Sequence, residues 1–254
     1  MTTQSLMTTG LSVTDLQVGY RRRRVLDGLS LELGTGVHGL LGPNGTGKTT
    51  LVRVLATVLK PDSGRVELLG RDRADRAERV EVRRRLGYLP QDFGYYPAFT
   101  VREFVEYIAW LKQVPSARLP RAVDEALEKV ELSDRADSKM RTLSGGMLRR
   151  AGIAQAIVNT PELLLLDEPT AGLDPEQRVG FRTLLRTLGE TASVVVSTHL
   201  VEDVASACTG VVLLVDGRVA FTGSPAELAG AGADGEGDTP SERGYLALLR
   251  RARA

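Results

Sequence analysis

At 254 residues with 42% hydrophobic content, the chain has enough length and apolar character for one large or two small domains with a true core. Its 33 Lys and Arg against 32 Asp and Glu leave a net charge of +1, so no global field draws it to nucleic acid or an anionic membrane. The single cysteine, Cys208, excludes an internal disulfide framework, and no apolar run approaches the ~20 residues of a membrane span.

Met1 to Gly10 is polar and lacks both a basic start and an apolar stretch, unlike a secretory signal. Leu11 to Val18 and Val25 to Leu33 alternate apolar with polar residues and read as strands of an antiparallel sheet with one wet face. Tyr20 stands at a strand end, where a flat ring either stacks on a base or simply packs. The run Arg21 to Arg24 has no interleaved aromatics and reads as a solvated hairpin tip.

The next stretch carries the strongest signal. Val37-His38-Gly39-Leu40-Leu41 is a strand, Leu51 to Leu59 is a periodic helical segment, and between them lies Gly42-Pro43-Asn44-Gly45-Thr46-Gly47-Lys48-Thr49-Thr50. This fits G-x-x-x-x-G-K-[ST] in its strand-to-helix context, a phosphate loop. Glycines let backbone N–H groups wrap an anion, and the new helix adds its positive end. Lys48 reaches the β- and γ-phosphates of a nucleotide, and the Thr49 hydroxyl contributes to a Mg²⁺ site. His38, inside the strand, reads as a packed residue.

Pro61-Asp62-Ser63-Gly64 stops the helix and Val66 to Gly70 returns as a strand. Arg71 to Arg85 reads as an exposed connection with a helix, and Leu86 to Gln91 as a short buried strand ending at a glutamine. From Phe93 to Asn159 strand signals vanish. Thr100 and Glu103 form a capping-box start for a helix Val101 to Gln113, whose apolar face holds Val101, Phe104, Val105, Ile108 and Leu111. Pro115 and Pro120 separate it from a helix Arg121 to Val130, and a third begins at Ser144. Phe93, Tyr95, Tyr96 and Phe99 crowd the entrance to this helical insertion, as core or as a docking surface.

Leu163 to Leu166, bounded by Pro161 and Pro169, reads as a buried parallel strand that delivers Asp167 and Glu168 at its carboxyl end. A helix Pro175 to Leu188, a strand Ser193 to Ser197, a helix Leu200 to Ala207 and strands Val211 to Val215 and Arg218 to Phe221 follow, the last two joined by an Asp216-Gly217 turn. This alternation predicts a mostly parallel sheet. Cys208 has no metal-ligand neighbours and reads as a buried thiol. Residues 230–240 read as a mobile linker and 241–254 as a short basic helix.

Three constellations name the chemistry. Asp167 suits a water-mediated contact to Mg²⁺, while Glu168 points elsewhere and polarises an attacking water. His199, at the end of the strand Ser193 to Ser197, suits a γ-phosphate contact. Ser144-Gly145-Gly146 opens a helix and forms a second anion nest, which has a use if a second copy brings the nucleotide.

Taken together, the stretch from about Leu11 to Leu228 resembles the nucleotide-binding subunit of an ATP-binding cassette (ABC) transporter. The resemblance implies an α/β phosphate-loop NTPase with a mostly parallel core sheet, an N-terminal antiparallel subdomain and a helical signature subdomain. That ATPase domain would span 11–229, with the helical part at about 93–159. It further implies that Tyr20 stacks on adenine, Gly42 to Thr50 is the Walker A loop, and Gln91 touches Mg²⁺ and couples to a membrane partner. Ser144-Gly145-Gly146 is then the signature, Asp167 and Glu168 the Walker B pair, Ala171 to Asp174 the dimer loop, and His199 the switch. Two positions depart from the pattern. Met147 stands where glutamine is usual, which puts a ribose or backbone contact in doubt, and Ala171 stands where serine is usual.

The implied protein hydrolyses ATP with Mg²⁺, pairing with a second copy or a paralogous ATPase subunit and with a separate multi-span permease. It would sit in the cytoplasm on the inner face of the cell membrane, and export of a drug or natural product is favoured over import. A non-transport ABC ATPase acting on ribosomes or nucleic acid would carry a second cassette or a long coiled coil. A phosphate-loop kinase has no need of Ser144-Gly145-Gly146, and a non-catalytic cassette no need of Glu168 and His199.

Overall fold

The structure is a computed structural model describing residues 10–21, 23–232 and 236–253. The reading of Met1 to Gly10 therefore lies, except for Gly10, outside the described residues, as do Arg22 of the arginine run and residues 233–235 and 254.

Strands β1 (Leu11–Tyr20) and β2 (Arg23–Leu33) pair antiparallel. Strand β3 (Gly36–Leu41) precedes the phosphate loop and helix α1 (Lys48–Leu55) follows it. β4 (Ser63–Leu68) and β5 (Arg71–Asp72) complete an antiparallel sheet of order β2-β1-β4-β5. Helix α2 (Arg76–Arg85) and strand β6 (Leu86–Leu89) lead to the helical arm, α3 (Val101–Leu111), α4 (Leu119–Lys129) and α5 (Gly145–Ile157). The chain then runs through β7 (Leu163–Asp167), α6 (Pro175–Gly189), β8 (Ser193–Ser197) and α7 (Val201–Ala207). It continues through β9 (Gly210–Val215), β10 (Arg218–Gly223), α8 (Pro225–Gly230) and α9 (Pro240–Arg253).

The second sheet has order β10-β9-β3-β8-β7-β6, and every pair in it is parallel except the β9–β10 hairpin. Its position between two packed layers explains the unbroken leucines of β7. Successive strand residues face opposite sides, so Leu163 and Leu165 join the cluster beneath the antiparallel sheet and α1, while Leu164 and Leu166 join the cluster of the helical arm and α6. Both faces are apolar because both are covered.

Several boundaries differ from the sequence reading. α1 stops at Leu55, ahead of Pro61, because Thr57 takes a left-handed backbone with φ 61°. α3 stops at Leu111, and Gln113 beyond it has φ 60°. Leu111 does not join the buried face of α3, being half exposed beside the exposed Trp110. Pro120 lies inside the first turn of α4, where its missing N–H has no helical partner to lose. Arg73, in the stretch expected to be exposed, is buried and donates from Nε to the Val54 carbonyl at 2.9 Å. The glycine-rich segment is not a free linker where it is described. The Asp238 and Thr239 amides donate to Glu242 at 3.1 Å, Glu236 pairs with Arg250, and Leu249 of α9 is buried against the cluster containing Leu228.

The arm begins at a capping box. The Glu103 amide donates to the Thr100 hydroxyl at 3.1 Å and the Thr100 amide donates to the Glu103 carboxylate at 2.6 Å. Thr100→Ala is expected to lower unfolding stability by about 1 kcal/mol, with Thr100→Gly losing less despite its smaller side chain, as measured by urea denaturation.

Candidate functional site

The carboxyl ends of the parallel strands β3, β6, β7 and β8 meet at a cleft of about 720 Å³. Open α/β sheets gather ligand sites at this edge because the loops and helix N-termini leave from it. Tyr20, Asn44, Gly45, Gly47, Lys48, Thr49 and Thr50 line it together with Gln91, Glu168 and His199.

The loop owes its shape to glycine. Gly42 has φ 152°, and a Cβ there would lie 2.3 Å from the Leu214 carbonyl oxygen; Gly47 has φ 103° and caps α1 in a left-handed conformation. The loop thereby presses against β9 while its amides open α1. Lys48 is only 6% exposed, and its Nζ donates to the carbonyls of Gly42 at 2.5 Å and Pro43 at 2.9 Å. Burial lowers the Lys48 pKa, while the charges of Glu168 and Asp167 oppose that shift. Thr46 stays out of the cleft and donates its hydroxyl to the Pro43 carbonyl at 2.9 Å.

The adjacent acids have opposite surroundings. Asp167, the last residue of β7, is fully buried and neither carboxylate oxygen has a hydrogen-bond partner. Glu168 turns out of the strand with φ 49°, its amide donating to the Ser197 carbonyl at 2.9 Å. Its carboxylate oxygens lie 3.0 and 3.1 Å from Nδ1 of His199, whose ring is more than half exposed. With the proton on Nδ1, the imidazole donates to Glu168 and fixes its direction.

Other expected residues lie elsewhere. Ser144 caps α5, accepting from the Met147 amide at 3.3 Å, and neither it nor Gly145 or Gly146 lines the cleft. Gly146 packs on the loop before α6, where a Cβ would meet Gln177 Oε1 at 2.9 Å and the Gly172 carbonyl at 3.2 Å. Asp174 is also outside the cleft, and its carboxylate is engaged as the cap of α6, accepting from the Gln177 amide at 2.9 Å. His38 is half-buried with Nε2 3.0 Å from the Gly34 carbonyl, and burial lowers its pKa. Burial pushes the Cys208 thiol up to about 12.

Sequence reasoning missed Arg23, Val25 and Ala171 as lining residues. The signal for Arg23 lay in the hairpin itself, since antiparallel pairing puts Arg23 opposite Tyr20. It also missed the buried Arg149 behind the site.

A sequence profile described as "ABC transporter" matches residues 26–171, more than half of the chain. The chain belongs to the ABC transporter family. It is 38% identical over 222 residues to the daunorubicin resistance ATP-binding protein DrrA3 of Streptomyces coeruleorubidus, covering 87% of this chain and 70% of that protein. It is 37% identical over 220 residues to the Nod factor export ATP-binding protein I of Ralstonia nicotianae, covering 86% and 68%. Among solved structures, an ATP-binding subunit of an ABC transporter superposes with a TM-score of 0.82 at 26% identity, covering 94% of this chain and 98% of that one. The dimeric cassette MJ0796 gives a TM-score of 0.77 at 27% identity, covering 84% and 98%.

This ABC subunit binds and hydrolyses ATP to power transport. Among the described residues no helix is long and apolar enough to cross a membrane.

Lys48→Ala is expected to weaken ATP binding by about one to two orders of magnitude, the worth of a charge-assisted hydrogen bond. Titration with a fluorescent ATP analogue checks this, and unaltered affinity would remove Lys48 from the phosphate site.

Proposed function

We propose that Glu168 is the general base of ATP hydrolysis and His199 the residue that orients it, in a transporter ATPase working as a dimer against a separate permease. The observation carrying this reading is the Glu168–His199 contact at 3.0 Å, in the same cleft as Lys48. A carboxylate with a fixed direction can take a proton from water lined up with the γ-phosphate. Lys48 neutralises developing phosphate charge, the loop from Gly42 to Thr50 supplies amides to the phosphates, and Tyr20, 44% exposed in the cleft, offers its face to adenine.

The donor set fits Mg²⁺. Asp167 holds a buried carboxylate with no partner, a costly arrangement that a divalent cation or its bound water relieves. Thr49 and Gln91 line the cleft, which Asp167 itself does not line, and complete the protein's share of oxygen donors. When bound, the ion supplies electrostatic stabilisation of charge on the phosphates.

The second nest has its use in the dimer. Ser144, Gly145 and Gly146, with Asp174 nearby in the loop before α6, meet a nucleotide held by the phosphate loop of another copy or of a paralogous ATPase subunit. The MJ0796 cassette, a dimer, supports the pairing of two copies. Met147 contributes its backbone amide to the Ser144 cap, a task that needs no glutamine side chain.

The permease docks on the helical arm, which with its host forms one ATPase domain over 11–229, extended by α9. Phe93, Tyr95 and Phe99 pack on the arm's core, but Tyr96 and Trp110 remain 52% and 66% exposed and linked through Tyr107. Tyr96 follows Gln91 by five residues in the non-helical connection between cleft and arm, and γ-phosphate contacts commonly drive closure of such units. The subunit is then peripheral on the inner membrane face. The drug-resistance and Nod-factor-export relatives favour an exporter of a drug or natural product.

Glu168→Gln is expected to cut steady-state hydrolysis by about 10²–10⁴-fold while leaving ATP binding intact and ATP-bound dimers trapped on size exclusion. Parental turnover in that variant would move the base to another residue. Chelation of Mg²⁺ by EDTA is expected to abolish hydrolysis, with readdition restoring it; turnover that persists after exhaustive chelation would contradict the metal assignment of Asp167.

A further inference from the structure

Arg149 lies in the second turn of α5 and is 6% exposed, yet every donor of its guanidinium is used. Nε donates to the Pro169 carbonyl at 3.3 Å, and Nη1 donates to the carbonyls of Pro90 at 3.1 Å and Gln91 at 2.9 Å. Nη2 donates to the Glu168 carbonyl at 2.6 Å and to that of Asp167. One planar group thus joins three stretches: the helix capped by Ser144, the loop carrying Gln91, and the turn carrying Asp167 and Glu168. Burial alone lowers the arginine's pKa, and the charges of Asp167, Glu168 and Asp92 counter that effect.

The contact with Glu168 matters because that residue has φ 49°. A non-glycine residue in this region persists only where its surroundings over-determine it. Here the Ser197 carbonyl holds the Glu168 amide and Arg149 holds the Glu168 carbonyl, so the peptides on both sides are fixed and the carboxylate is aimed at His199. The same guanidinium grips the Gln91 backbone, so a shift of that loop or of α5 reaches Glu168 through a single side chain.

We infer that Arg149 is a positioning residue that makes the aim of Glu168 conditional on the Gln91 loop and the signature helix being in register. The inference rests on the proposed role of Glu168. Lysine cannot replace it, because its three donors radiate from one nitrogen and cannot serve five carbonyls on two separate stretches of backbone.

The test compares Arg149→Lys with Arg73→Lys in the full-length chain. Arg73 is a second buried arginine that donates to backbone carbonyls, those of Val54 and Leu59, away from the cleft, and controls for lost packing. Arg149→Lys is expected to lower kcat for ATP at least about tenfold with KM and ATP affinity within about twofold, whereas Arg73→Lys keeps kcat within about twofold. In the Glu168→Gln background, Arg149→Lys is expected to cause no further loss of residual hydrolysis. Parental kcat in folded Arg149→Lys, or a further tenfold loss in the double variant, overturns the inference alone. Parental turnover in Glu168→Gln overturns the assignment of the base and this inference with it. Hydrogen exchange on the unmutated chain gives a reading independent of whether any variant folds. Backbone amides of residues 91–94 and of Glu168, Thr170 and Ala171 are expected to share one opening free energy and one denaturant dependence, and separate opening of the two loops overturns the coupling.

Discussion

A group as highly charged as a triphosphate is held closely only by donors fixed before it arrives, and that constraint organises this subunit. Backbone amides satisfy it where a strand runs straight into a helix, and the loop from Gly42 to Thr50 has that setting between β3 and α1. The turn is possible because Gly42 passes within contact of the Leu214 carbonyl, a clearance that leaves no room for a Cβ. The strand feeding the loop lies in the middle of the parallel sheet, flanked by β8 and β9. Glu168 and His199, leaving the ends of neighbouring strands, then reach the same cleft without long excursions of chain.

The two acids after β7 show how one residue of backbone separates two kinds of chemistry. Asp167 still belongs to the strand, so its carboxylate is buried, and with no protein partner it is suited to a cation. Glu168 has left the strand through a left-handed residue and faces His199 at the cleft. The polar atoms behind that turn belong to Arg149, whose five backbone acceptors include the carbonyls of both acids. Charge neutralisation in the interior and orientation at the surface thus share one scaffold.

The helical arm has the opposite character. Its core is satisfied by Phe104, Val105, Leu127 and their neighbours, yet Tyr96, Trp110 and Leu111 remain in solvent. Tyr96 of this surface belongs to the connection that runs from Gln91 into the arm, and it reaches Trp110 through Tyr107. A large aromatic patch outside a complete core fits a protein that performs its work against another one.

Much of this was legible in the sequence because periodicity and turn chemistry are local. The Leu163–Leu166 run, the capping box at Thr100 and the Asp216-Gly217 turn each carried their structure in a few residues, and the order of motifs identified the family. Helix ends were less legible. Thr57 ends α1 ahead of Pro61 by taking a left-handed backbone, and Pro120 lies in the first turn of α4 instead of preceding it, a position where its missing N–H has no helical partner to lose.

What the sequence by itself determined is the inventory: a phosphate loop, paired acids, a histidine at a strand end and a second nest in a fixed order. Only the tertiary structure decided which of them meet. It brought Glu168 to His199 across a gap of 31 positions, left Ser144 outside the cleft, engaged Asp174 as a helix cap, drew Arg23 into the cleft and set Arg149 behind it. The reason is that a side chain's partners are set by strand order and by which backbone groups are left unpaired around it, and neither quantity has a local signature.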